Sequence, residues 1–96
     1  MSAANGGFQT KRYIVRGRVQ GVGFRDFVRR QASALGVTGW VRNMSDGNVE
    51  VLAMGSPSQL SDLAGYLHTG PMLSEVRGVD EIEAAPIRAK GFSIQY

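Results

Sequence analysis

Hydrophobic and polar positions alternate over residues 11–19 and then change to a helical spacing over residues 24–35. An alternation with a period of two predicts a strand with one buried face. Apolar side chains three and four positions apart predict an amphipathic helix. Gly36 supplies a left-handed cap at the end of this helix. The chain therefore opens with a strand that leads directly into a helix.

Similar patterns predict the remaining elements. Further strands are expected over residues 37–43, 48–54 and 75–83, with a short final strand at 92–96. The second and third strands are joined by residues 44–47, whose Asp-Gly pair is a typical hairpin signal. A second helix begins at Ser56, with Pro57 in its first position and Gln59 completing a capping box.

The element order β-α-β-β-α-β, plus a short C-terminal strand, indicates an α+β fold. Two helices on one face of an antiparallel sheet form a ferredoxin-like split βαβ sandwich. Residues 1–10 are rich in Ala, Asn, Gly and Ser and are predicted to be a disordered tail. The predicted domain therefore covers residues 11–96.

Length and composition limit the possible functions. The chain has 96 residues, which is enough for one domain. It has no cysteine, which excludes disulfides, thiolate zinc sites and cysteine nucleophiles. Residues 1–10 lack the features of a signal peptide, and no apolar run is long enough to span a membrane. We therefore expect a cytoplasmic protein.

Charge is distributed unevenly. Between Lys11 and Arg42 there are eight basic residues and one acid, whereas seven acids and three basic residues follow. The first part of the domain should therefore attract anions, either small phosphorylated molecules or nucleic acid.

The residues between the first strand and the first helix could form an anion-binding loop. Gly21 and Gly23 allow a tight turn that brings backbone N–H groups together at the positive end of a helix. Arg25 follows in the first helical turn, where the helix dipole disfavours a cation, although Asp26 is expected to offset it. A phosphoryl group would supply the missing counter-charge. The same spacing also fits a plain strand-to-helix turn.

Asn43 ends the second predicted strand, just before the hairpin. Its carboxamide can accept a hydrogen bond from water and donate one, so it can orient a water without acting as a base. An Asn at this position can also start a turn through its side chain. The residue types alone leave both interpretations open.

Two long motifs resemble one family. The stretch Val15-x-Gly17-x-Val19-Gln20-Gly21-Val22-x-Phe24-Arg25 resembles the first acylphosphatase signature. The stretch Gly39-Trp40-Val41-Arg42-Asn43-x-x-x-Gly47-x-Val49, with Gly55 six residues later, resembles the second. The closing Phe92-x-Ile94-x-Tyr96 also resembles the end of that family, whereas Gln95 stands where Arg is common. The likeness covers about residues 11–96.

This resemblance implies an enzyme that hydrolyses acyl phosphates, with Arg25 binding the phosphate and Asn43 positioning the attacking water. The implied phosphate-binding residues are Gln20, Gly21, Val22, Gly23, Phe24 and Arg25. The implied partners are an acyl phosphate and its product, inorganic phosphate. No cofactor or metal is expected, because no His or carboxylate cluster has ligand spacing. A monomer without nucleic-acid or membrane partners is expected.

The alternative function is a non-catalytic ferredoxin-like module that binds phosphate or RNA. The third predicted strand argues against RNA, because it lacks stacking aromatic residues and carries Glu50 on its open face.

Overall fold

The computed structural model describes residues 7–96. The elements in chain order are β1 (Gln9–Arg18), α1 (Phe24–Leu35), β2 (Thr38–Asn43), β3 (Val49–Gly55), α2 (Pro57–Thr69), β4 (Glu75–Glu83) and β5 (Phe92–Gln95). The predicted element order is therefore confirmed, and α1 has the predicted bounds.

The five strands form one sheet in the order β4-β1-β3-β2-β5. β1 is antiparallel to β3 and β4, and β2 is antiparallel to β3. β5 is parallel to β2, so the sheet is mixed and the prediction of an antiparallel sheet is wrong at this strand. The reason is that β4 and β5 lie at opposite edges. The chain crosses between these edges through residues 84–91 and enters β5 in the direction of β2.

The hydrophobic core lies between one face of the sheet and the two helices. Its helical side chains recur at the predicted spacing, and burial of each large one contributes about 1.5–3 kcal/mol. The fully buried residues of α1 and α2 are Phe24, Val28, Ala32, Leu60, Leu63 and Leu67. The strands contribute Tyr13, Val15, Val41, Val49, Val51 and Ala53. Both helices thus cover the same face, which confirms the ferredoxin-like sandwich.

The N-terminal boundary differs from the prediction. β1 begins at Gln9, so the expected limit of the tail at residue 10 lies inside this strand. Thr10 is buried, and its carbonyl oxygen accepts a hydrogen bond from the N–H of Ala84 at 3.1 Å. Pairing with the end of β3 extends the strand beyond the alternating pattern. Residues 1–6 of the predicted tail lie outside the described residues.

The predicted capping box of α2 is confirmed. The hydroxyl of Ser56 accepts from the Gln59 N–H at 3.2 Å, and the Ser56 N–H donates to Gln59 Oε1 at 2.8 Å. Gly36 ends α1 in the left-handed conformation that was predicted, with φ of 79°.

Glu50 lies on the open face of the sheet, the face away from the helices, but it is buried by its neighbours. The guanidinium groups of Arg12 and Arg42 both donate to its carboxylate. Burial raises the pKa of Glu50, but the hydrogen bonds from the two arginines outweigh this effect and hold the pKa below its ordinary value of 4.5. The carboxylate therefore stays charged and stabilises the open face at neutral pH.

We expect Glu50→Gln to lower the free energy of unfolding by about 2 kcal/mol at neutral pH, because hydrogen bonds to a charged acceptor are strong. Since the folded-state pKa of Glu50 is lowered, its contribution is present above about pH 4.5 and is lost as the pH falls through the lower folded value. The difference between variant and wild type should shrink accordingly. Urea unfolding at a series of pH values measures both effects.

Glu81→Gln is the control, because Glu81 pairs with Lys11 while its side chain is 47% exposed. An exposed pair of this kind contributes less than about 1 kcal/mol. Equal losses in the two variants, or a Glu50→Gln loss that persists in acid, would contradict this account.

Candidate active site

No side chain of residues 7–96 caps the first turn of α1. Gly21 and Gly23 both adopt left-handed conformations, with φ of 73° and 77°. Gly23 occupies the N-cap position and has no side chain to accept from the first-turn N–H groups. At α2, by contrast, a hydroxyl and a carboxamide fill these positions. The start of α1 therefore presents unpaired donors at the positive end of the helix, which suits an anion.

A cleft of about 330 Å³ opens at this helix start. Its lining residues are Val19, Gly21, Gly23, Phe24, Arg25, Asp26, Asn43, Ile94 and Tyr96. The fold thus brings Arg25 and Asn43 to one cavity, although they are 18 residues apart in the sequence.

Two predicted phosphate-binding residues do not line this cleft. The side chain of Val22 packs against the core. The side chain of Gln20 points to the β2–β3 hairpin, where its Nε2 donates to the carbonyl oxygens of Met44 and Asn48, each at 2.8 Å. Gly21, Gly23, Phe24 and Arg25 remain as the part of the predicted loop that faces the cleft.

Arg25 forms no ion pair within residues 7–96. Its guanidinium lies 4.9 Å from the centre of the Tyr96 ring, a cation–π distance. Asp26 lies in the first turn of α1, as expected. Its carboxylate accepts from Arg29 at 2.9 Å and from Arg30 at 3.0 Å, and it forms no ion pair with Arg25. These hydrogen bonds lower the pKa of Asp26.

Asn43 lies at the end of β2 and shares the core-side face with Val41. Its Oδ1 is buried and has no hydrogen-bond partner among the described residues. An unpaired buried acceptor costs about 1–3 kcal/mol, so this oxygen is suited to accept from a bound molecule. The side chain that caps the adjacent turn belongs to Asp46, whose Oδ1 accepts from the Asn48 N–H at 3.0 Å. The turn-starting interpretation of Asn43 is therefore not supported.

The sequence patterns did not place Ile94 and Tyr96 at this cleft. Parallel pairing aligns Val41 with Ile94 and Arg42 with Gln95, so Ile94 and Tyr96 share the face of Asn43. Alternation along β5 indicated a common face for Phe92, Ile94 and Tyr96, but it could not indicate which strand β5 would join.

A larger and shallower depression of about 540 Å³ runs along the helices, lined by Leu35, Ser61, Asp62, Gly65, Tyr66 and Thr69. It contains neither an arginine nor a buried unpaired acceptor. The cleft at the start of α1 is therefore the better candidate site.

Within residues 7–96, no group of three or more His, Cys, Asp and Glu side chains is arranged to hold a metal ion. Neither helix in this part of the chain combines the length and apolar character needed to cross a membrane.

These features define a ferredoxin-like domain with a glycine loop and an arginine at a helix start beside a cleft. Comparison with known proteins identifies the family, since the acylphosphatase family model matches residues 11–94. An acylphosphatase from Solibacter usitatus is 55% identical over 91% of this chain and 91% of its own length. The chain belongs to the acylphosphatase family, and the prediction of an enzyme of this class is confirmed.

Solved structures agree with this assignment. An acylphosphatase from Coxiella burnetii superposes with a TM-score of 0.89 at 35% identity, covering 93% of this chain and 94% of its own. An acylphosphatase from Bacillus subtilis gives a TM-score of 0.86 at 40% identity, with 91% and 98% covered.

The left-handed backbone of the loop leads to a test. We expect Gly23→Ala to lower the free energy of unfolding by about 1–2 kcal/mol, because a Cβ is disfavoured at positive φ. The substitution meets no neighbour within 4 Å, so the loss would come from the backbone alone. It should also weaken the binding of inorganic phosphate. Urea unfolding and phosphate titration measure the two effects.

Gly65→Ala is the matched control, because Gly65 is exposed within α2 and its added Cβ also meets no neighbour. Alanine should stabilise this helix by about 0.5–1 kcal/mol. Effects of the same sign at both positions would contradict a requirement for glycine at the positive φ of residue 23.

Proposed function

We propose that this protein hydrolyses acyl phosphates to a carboxylate and inorganic phosphate. In this proposal, Arg25 and the loop amides hold the phosphoryl group, and Asn43 orients the attacking water. One observation carries the proposal. Among residues 7–96, an arginine without an ion pair and a buried amide oxygen without a partner line the same cleft, beside a helix start that no side chain caps. Membership of the acylphosphatase family supports the same reaction.

The phosphoryl group would lie against the first turn of α1. Backbone N–H groups of residues 21–25 would donate to its oxygens, and the planar guanidinium of Arg25 can donate two parallel hydrogen bonds. These donors are in place before the substrate binds, because Phe24 is buried and Val22 packs against the core on either side of Gly23. Such preorganised donors stabilise charge on a transferring phosphoryl group.

Asn43 would accept a hydrogen bond from the water through Oδ1, which leaves a lone pair of the water oxygen directed at phosphorus. The water oxygen forms a bond to phosphorus while the bond from phosphorus to the acyl oxygen breaks. The electron pair of that bond leaves with the carboxylate. Alignment of this kind is worth several orders of magnitude in rate.

The leaving group explains why the cleft needs no general acid. A carboxylic acid has a pKa near about 4, so its anion leaves without protonation. The proton of the attacking water can pass to a phosphoryl oxygen. We therefore propose that the reaction requires no metal and no protein base.

The RNA-binding alternative is weaker than the charge pattern suggested. Arg12 and Arg42, two of the cations on the open face, both donate to Glu50 and are not available as a free pair. We propose that the partners are small molecules and that the protein acts as a monomer in the cytoplasm. A gel shift with mixed RNA at near-physiological salt tests the alternative.

Substitutions should separate binding from water attack. We expect Arg25→Ala to abolish both turnover of a generic aryl acyl phosphate and inhibition by phosphate. Asn43→Ala should lower kcat by about 100-fold or more, as does loss of one preorganised group in other enzymes, yet leave phosphate inhibition nearly intact. Steady-state kinetics with phosphate as inhibitor, in the presence and absence of a chelator, measure these effects.

Arg30→Ala and Asn48→Ala are matched controls. Arg30 lies on α1 and pairs with Asp26, whereas the Asn48 side chain donates to Asp46. Neither residue lines the cleft. Both variants should retain turnover within about threefold, since neither side chain reaches the cleft and a surface charge such as Arg30 chiefly affects association. A wild-type protein without acyl phosphate turnover, or a chelator-sensitive one, would contradict the proposed reaction.

A further inference from the structure

Gln20 is the residue next to the anion-binding loop, but its side chain turns away from the cleft. Its Nε2 group donates to two carbonyl oxygens of the β2–β3 hairpin, those of Met44 and Asn48, each at 2.8 Å. The side chain is partly buried. Both hydrogens of the Gln20 carboxamide nitrogen therefore form hydrogen bonds with the same β2–β3 hairpin.

The two acceptor residues, Met44 and Asn48, are also joined to each other by a backbone hydrogen bond. The N–H of Met44 donates to the carbonyl oxygen of Asn48 at 2.8 Å, which closes the hairpin immediately after β2. Met44 follows Asn43 directly in the chain. The carboxamide of Gln20 therefore holds the backbone at the residue after the proposed water-orienting group.

The other end of this connection is the anion-binding loop itself. Gln20 is followed by Gly21, which lines the cleft. Arg25 and Asn43 belong to different elements, α1 and β2, and their separation in the cleft depends on how the loop and the hairpin sit against each other. Two hydrogen bonds from one planar group fix both distance and direction between these segments.

We propose that Gln20 is a positioning residue, which sets Asn43 relative to the phosphate held by the loop. This inference rests on the proposed function of the cleft. In this role the Gln20 side chain does not contact the phosphate. Loss of its hydrogen bonds should affect water attack and leave phosphate binding in place, because the loop amides and Arg25 are held locally.

The variant Gln20→Met removes both donors and keeps the length of the side chain. We expect kcat for an aryl acyl phosphate to fall by about 10- to 100-fold, since a displacement of about 1 Å at a reacting group has costs of this size. The inhibition constant for inorganic phosphate should change by less than about threefold, well below the effect on kcat.

Gln59→Met is the matched control. The Gln59 carboxamide also joins distant parts of the chain, since its Nε2 donates to the carbonyl oxygen of Leu35 at 2.9 Å. It lies away from the cleft. Its loss should lower the melting temperature and leave kcat within about twofold.

A double-mutant cycle separates positioning from a general structural role. In an Asn43→Ala background, Gln20→Met should cause almost no further loss of kcat, because the group that it positions is already absent. A loss of kcat in that background as large as in the wild type would overturn the proposal. So would an unchanged kcat in Gln20→Met, or a phosphate inhibition constant weakened as much as kcat.

Nuclear magnetic resonance gives a readout that does not depend on turnover. Inorganic phosphate added to the wild type should shift the backbone amides of Gly23 and Arg25 and the side-chain amide of Asn43. In Gln20→Met the loop amides should still shift, whereas the Asn43 response should be lost or reduced at least twofold. An unchanged Asn43 response would overturn the positioning role. Absence of turnover in the wild type would overturn the proposed function alone.

Discussion

The N–H groups at the start of α1, which no side chain of residues 7–96 caps, are the feature on which the rest of the site depends. They stay unpaired because Gly23 has no side chain to cap the helix, and Gly21 and Gly23 hold left-handed conformations that direct the loop toward the cleft. Val22 and Phe24 alternate with these glycines and pack into the core. The loop is therefore fixed by hydrophobic burial on one side and is open to a ligand on the other.

Ion pairs neutralise most of the basic side chains of the domain and leave a positive charge beside this loop. Six of the eight basic residues between Lys11 and Arg42 form ion pairs. They are Lys11, Arg12, Arg16, Arg29, Arg30 and Arg42. Arg18 and Arg25 form none within residues 7–96. The basic character seen in the sequence is thus mostly neutralised by ion pairs, and Arg25 lines the cleft with no ion pair to the described residues, so its guanidinium is available for charge-assisted hydrogen bonds.

Local signals account for what could be predicted from the sequence. The bounds of α1 and the capping box at Ser56 follow from periodicity and from residues a few positions apart. The direction of β5 could not be predicted, because its partner β2 lies about 50 residues earlier and alternation gives a face but no neighbour. Because alternation does not identify neighbours in the sheet, the contact between Tyr96 and Arg25 could not be predicted either. The same is true of the burial of Glu50 between two arginines.

The position of Gln20 shows why a site residue cannot be assigned from its place in a motif alone. It adjoins the glycine loop in sequence, and the family resemblance implies that it binds phosphate, yet its carboxamide donates to the hairpin that follows Asn43. In the proposed reaction, Arg25 on a helix and Asn43 on a strand act together only when their separation is fixed. The first motif therefore supplies the glycine loop at the cleft together with the hydrogen bonds that join this loop to the second motif.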